Sequence, residues 1–236
     1  MTLAALAAAP RSAAAFEDTI AERVRSCTLC HGEQGRAGPD GYYPRIAGKP
    51  AGYLLHQLQN FRDGRRQYAP MAVLLEHLGD DYLREIAEHF AGLELPYPSP
   101  QPAAVSAALL EHGRRLVFDG DETRRLPPCA ACHGQALTGV APAIPGLLGL
   151  PRDYLNGQLG AWKADQRRAH APDCMADITQ RLKPDDIAAL TGWLAAQPLP
   201  RDTRPASALP APLPMRCGGV AGPAAGLGAS RTGAQR

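Results

Sequence analysis

Aromatic residues make up only 6% of this 236-residue sequence, so it has few of the large rings from which small domains build a core. No stretch approaches the roughly 20 consecutive apolar residues of a membrane-spanning helix, which excludes an integral span. Charge of one sign is missing too. The formal balance is +2 with basic residues scattered along the chain, and this excludes the basic stripe of a nucleic-acid binder. No period-2 alternation marks a strand, so the fold class expected is all-α. Methionine is scarce at four, and one of these is the initiator.

Cysteine is present at six copies, and four of them are patterned. Cys27-Thr28-Leu29-Cys30-His31 returns as Cys129-Ala130-Ala131-Cys132-His133, 102 residues later. Cys-x-x-Cys-His is the attachment sequence for c-type haem. Both thiols add to the haem vinyl groups, and the adjoining histidine becomes the proximal iron ligand. A zinc site needs four ligands in tetrahedral array, which a histidine fused to the second cysteine suits poorly. A thioredoxin-like motif needs βαβ surroundings that are absent here. Two covalently bound haem c groups are therefore expected, and each supplies the apolar centre that a unit of 85–100 residues lacks. Their four propionates bring the mature protein near neutral or mildly acidic.

The chain divides accordingly. Residues 1–15 read as the end of a secretory signal, with an A-x-A-type site at Ala13-Ala14-Ala15 and an incomplete start. Residues 16–94 form a first haem domain and 104–200 a second. Between them lies a Pro-rich linker, 95–103, with four prolines from Leu95 to Pro102. Residues 201–236 form an extended Pro/Gly-rich tail. Helical spacing predicts helices at 17–25, 53–61, 80–93, 105–118 and from Lys183 onward. Tyr154-x-x-x-Gln158-Leu159-x-x-Trp162 repeats Tyr53-x-x-x-Gln57-Leu58-x-x-Phe61. Ile144-Pro145-Gly146 is matched to Ile46-Ala47-Gly48, and Pro142 to Pro44. The offset so read runs from 102 at the cysteines to 98 at the prolines and 101 at the tyrosines.

Each iron needs a sixth ligand, whose identity sets potential and reactivity. Met71 lies 40 residues after His31, and Met175 lies 42 after His133. Equivalent placement in both halves points to ligation rather than core filling, the ordinary use of a lone methionine. His56, His77, His89 and His112 are competitors without counterparts, and His170 is a competitor five residues before Met175. Cys174 and Cys217 remain once the haem cysteines are assigned. In an oxidising compartment they are a candidate disulfide. The alternative is a buried Cys174 and a free Cys217.

Both halves resemble class I cytochrome c domains, and the tandem resembles the dihaem cytochrome c4 family. The carrying residues are the two haem motifs, Tyr43-Pro44-Arg45-Ile46-Ala47-Gly48, the paired Tyr-x-x-x-Gln-Leu segments, Arg65-Arg66 before Met71 and Arg167-Arg168 before Met175. The resemblance covers about residues 17–197. It implies His/Met ligation of both haems. It also implies a periplasmic carrier between redox partners, with a quinol- or dehydrogenase-side donor and a terminal oxidase or reductase as acceptor. A proline carbonyl is implied to accept from each proximal histidine, Pro44 for His31 and Pro142 for His133. With both axial positions filled, the chain carries no substrate chemistry of its own. Two alternatives stay open: an electron-transfer subunit of a membrane-bound dehydrogenase or oxidase complex, with the tail docked on it, and a dihaem peroxidase.

Overall fold

The computed structural model describes residues 17–38, 40–103 and 105–220; the signal segment 1–15 and the tail end 221–236 lie outside them. Val24, buried to 2% exposure, interrupts the expected first helix. The chain forms α1 (Ile20–Arg23), capped by the Thr19 hydroxyl, and then α2 (Arg25–His31). Next come α3 (Ala51–Arg62), α4 (Ala69–Leu75) and α5 (Asp80–Ala91). Asp80 and Asp81 sit at the positive end of α5, where the helix dipole favours them. Leu83, Ile86, Ala87 and Phe90 form its buried stripe, packed with Val24, Leu54, Phe61 and Leu75 into the first apolar core.

The second half contains α6 (Ala107–Phe118), α7 (Cys129–His133), α8 (Arg152–Lys163), α9 (Cys174–Arg181) and α10 (Pro184–Ala196). Ser106 caps α6 and Asp173 caps α9. Helices α6 and α10 cross at Gly113, where a Cβ would come within 2.3 Å of the Ala189 carbonyl oxygen. Leu116, Val117, Leu190 and Leu194 then close a second core. A two-residue ribbon joins β1 (Gly139–Val140) antiparallel to β2 (Ile144–Pro145). It is too short for any period-2 signal, and the all-α class stands.

The linker has no regular structure but is fastened at both ends. Arg45 donates to the carbonyls of Leu95 (2.6 Å) and Pro96 (2.9 Å) and stacks 3.9 Å over the Tyr97 ring. Gln101 N–H donates to Ala195 O at 2.9 Å, and the Gln101 side chain accepts from Arg152 N–H at 2.8 Å. The described tail is likewise extended and held. Ala206 lies beside Val140 through two backbone hydrogen bonds, and Gly218 N–H donates to Pro172 O. Cys174 is bonded to Cys217, with Cα atoms 5.2 Å apart across a sequence separation of 43. In the chain-entropy model a loop of that length is worth about 4 kcal/mol.

The halves meet in a reciprocal contact. Gln67 N–H donates to Gln166 O (2.8 Å) and Arg168 N–H to Arg65 O (2.7 Å), a single antiparallel bridge at Arg66 and Arg167. Arg66 binds Gln57 of its own half (3.0 Å) and Gln158 of the other (2.6 Å). Arg167 does the converse, at 2.6 Å to Gln158 and 3.1 Å to Gln57. Each guanidinium also covers an aromatic ring of its own half, Phe61 or Trp162.

Candidate haem sites

In α2 and α7 the cysteines and histidine stand at i, i+3 and i+4, so all three share one helix face. His31 is buried, with Nδ1 2.9 Å from Pro44 O; burial lowers its pKa against the opposing pull of that carbonyl. His133 is equally buried, with Nδ1 2.7 Å from Pro145 O, and burial lowers its pKa in the same way. A neutral imidazole that donates Nδ1–H to a carbonyl leaves the Nε2 lone pair for a metal, and the carbonyl fixes the ring.

The second carbonyl corrects the expected one: it belongs to Pro145, not Pro142. The Pro142 carbonyl instead accepts from Tyr53 N–H (3.3 Å), a contact between halves. The expected match of Pro142 to Pro44 is out of register. At a constant offset of 101, Pro44 matches Pro145 and Tyr53 matches Tyr154. Gly48 then matches Gly149, both with φ near +70° (+71° and +67°), and Pro50 matches Pro151, both at helix N-caps. Ile46-Ala47-Gly48 therefore pairs with Leu147-Leu148-Gly149, and the apparent drift to 98 disappears.

None of Cys27, Cys30, Cys129 and Cys132 is in a disulfide. Burial pushes the Cys129 thiol up to about 12 and raises those of Cys27 and Cys132. One largely apolar cavity of about 680 Å³ runs through both halves, lined by both motifs and by Met71 and Met175. Met71 projects from α4 and Met175 from the first turn of α9, directly after the disulfide-bonded Cys174. Leu213, Met215 and Val220 of the tail reach the same cavity.

This donor set fits a c-type haem in each half: two thiols for thioether bonds, an imidazole with one nitrogen committed, and a thioether lining the same space. Among the described residues no group of three or more His, Cys, Asp or Glu converges as a metal cage.

The competing histidines are placed elsewhere or differently. His112 is held by Asp186 at 2.8 Å, exposed His77 lies 3.2 Å from Glu76, and His89 stands edge-on to Phe90. His56 and His170 do line the cavity, their rings 5.2 Å apart across the interface. Sequence reasoning missed the Arg66–Gln57 and Arg167–Gln158 clusters. Their signal was the repeated Tyr-x-x-x-Gln-Leu and Arg-Arg segments, read as markers of duplication rather than as a contact.

No family model matches the chain. It is 38% identical over 201 residues to the thiosulfate dehydrogenase electron acceptor of Thiomonas intermedia, covering 85% of this chain and 89% of that one. It is 31% identical over 170 residues to cytochrome c4 of Pseudomonas aeruginosa, covering 71% and 82%. The chain belongs to the cytochrome c4 family. Reduced recombinant cytochrome c4 from Pseudomonas stutzeri superposes with a TM-score of 0.61 at 27% identity, over 74% of this chain and 94% of that one. The as-isolated thiosulfate dehydrogenase TsdBA from Marichromatium purpuratum superposes at 0.65 and 31% identity, over 74% of this chain; the match spans 37% of that longer chain. As a cytochrome c4 the protein carries two covalently bound c-type haems and transfers electrons between redox proteins. No helix among the described residues is long and apolar enough to cross a membrane.

Proposed function

We propose that this cytochrome c4 takes electrons from a thiosulfate-oxidising dehydrogenase in the periplasm and passes them to a second redox protein, with no catalytic reaction of its own. The observation that carries the reading is the pairing, twice over, of a carbonyl-anchored imidazole with a methionine on one shared cavity. The donor class follows from the 38% identity to a thiosulfate dehydrogenase electron acceptor. We read 16–94 and 104–200 as two haem domains joined by 95–103.

Haem supplies the one-electron couple; the chain holds it with few moving parts. His31 and Met71 would hold one haem and His133 and Met175 the other. The carbonyls of Pro44 and Pro145 stop each imidazole from turning, and methionine as the sixth ligand raises the potential. With a histidine and a methionine holding each haem, no open position would be left for peroxide, which weighs against the peroxidase alternative. The reciprocal arginine–glutamine contact keeps the two sites at fixed separation inside one body.

Anaerobic stopped-flow mixing tests the donor. With thiosulfate and a catalytic amount of a thiosulfate dehydrogenase, the reduced c-type α-band should grow to the full amplitude set by dithionite. Thiosulfate alone should leave the protein oxidised. No reduction by the complete mixture, with dithionite still effective, sinks this donor assignment. The match to one third or so of a longer thiosulfate dehydrogenase chain favours a second reading, a subunit held on its dehydrogenase with the tail as a docking segment. Co-purification at fixed stoichiometry separates that from a free carrier.

A further inference from the structure

Lys49 is buried to 5% exposure at the mouth of α3 and lines the cavity beside the first motif. Among the described residues its ammonium has neither a carboxylate nor a hydrogen-bond acceptor. Its one charged neighbour is another cation, Arg45, itself 4% exposed. Arg45 is satisfied by neutral dipoles, the carbonyls of Ala47, Leu95 and Pro96, and by the Tyr97 ring. Two largely buried cations that repel one another, with no protein anion paired to either, are costly to hold. Removing an ammonium from water costs several kcal/mol unless an opposite charge meets it. Burial and Arg45 together push Lys49 down to about 8, so the ammonium still predominates at neutral pH.

Haem would bring propionate carboxylates into this cavity. We infer that Lys49 is the ionic partner of a propionate of the first haem, a contact without counterpart at the second. The register of 101 places Leu150 opposite Lys49 and Gly146 opposite Arg45, so the second half offers no cation at either position. Lys163 of that half is committed to the carbonyls of Thr179 and Leu182. This deepens the dihaem reading and rests on it: a fixed positive charge beside one haem disfavours its oxidised, more positive state. Lys49 thus raises the potential of one haem and not the other, giving the pair a built-in electrostatic difference. It acts as a positioning and tuning residue and forms no bond to iron.

The experiment is spectroelectrochemical titration of the holoprotein at pH 7, wild type against Lys49→Met and Lys49→Arg. In Lys49→Met one midpoint should fall by a factor of about ten in the reduction equilibrium, about 59 mV for a one-electron couple. The other midpoint should stay, as should two haems per chain and the low-spin spectrum; Lys49→Arg should restore the lost shift. Two unchanged midpoints in a two-haem Lys49→Met protein overturn the inference. Should Lys49→Met mature without two haems, wild type grown with carboxyl-labelled haem precursor gives the answer by redox infrared difference. Two distinct propionate band sets support the pairing, and one common set overturns it. Failure of the ligand reading would show separately, as a high-spin component in the wild-type spectrum.

Discussion

On the proposed ligation of one haem by Met71 and the other by Met175, Met175→Ala should halve the weak near-infrared band of ferric iron–thioether bonding, to about 50% of wild type. The same variant should open one iron to cyanide or imidazole. Its potential should drop by about 0.1 V or more, within the roughly 0.8 V that axial ligands command. The change is clean structurally. Met175 sits in the first turn of α9, between the disulfide at Cys174 and the Ala176 N–H held by the Asp173 carboxylate at 3.0 Å. Alanine is the best helix former, so the frame around the lost thioether survives. Met71→Ala should do the same to the other iron, and the double variant should abolish the band. An undiminished band in either single variant would mean that the substituted methionine is not a ligand in the wild type, where His56, His170 or another group holds the position.

Asp186→Ala should cost about 3 kcal/mol of unfolding free energy in chemical denaturation, the lower end of the range for breaking a buried ion pair. The Asp186 side chain is 4% exposed at the start of α10. It accepts from Arg124 Nη1 (2.5 Å), His112 Nε2 (2.8 Å) and Lys183 N–H (2.7 Å), tying α6, α10 and the turn before the second haem motif together. Arg124 keeps Asp121 (2.7 Å) and is partly exposed, which limits the loss. Burial alone would raise the pKa of Asp186. Arg124, the Lys183 N–H and His112 overcome it and hold the carboxyl below the usual range. A depressed folded-state value stabilises the fold above the unfolded value of about 3.9 and loses that contribution as pH falls through the folded one. The gap between wild type and Asp186→Ala should therefore be flat from pH 7 to about 5 and close below about 4. A gap that widens in acid would contradict this sign.

The haem motifs, the helices Ala51–Arg62, Asp80–Ala91 and Ala107–Phe118 and the all-α class are legible in the chain because each rests on local spacing. Asp80–Ala91 shows its buried stripe in the period of Leu83, Ile86 and Phe90. What escaped depends on chain reversal. Pro145 rather than Pro142 lies under His133 because the short ribbon folds back between them, and a two-residue strand leaves no periodic mark. The linker and tail read as extended segments from their prolines and glycines. Their fastening, apart from the candidate Cys174–Cys217 bond, comes from single long-range partners at Arg45, Gln101 and Ala206. Lys49 looks like any lysine until the fold closes over it.

The contact between the halves has the exchange symmetry of an isologous dimer: each bond made by Arg66 is returned by Arg167. Two separate chains would have to find that contact by collision, and a few hydrogen bonds over a narrow seam would hold them only weakly. A linker of residues 95–103 makes the encounter intramolecular, at an effective concentration of order millimolar. A low mutual affinity between the halves then suffices to keep the seam closed.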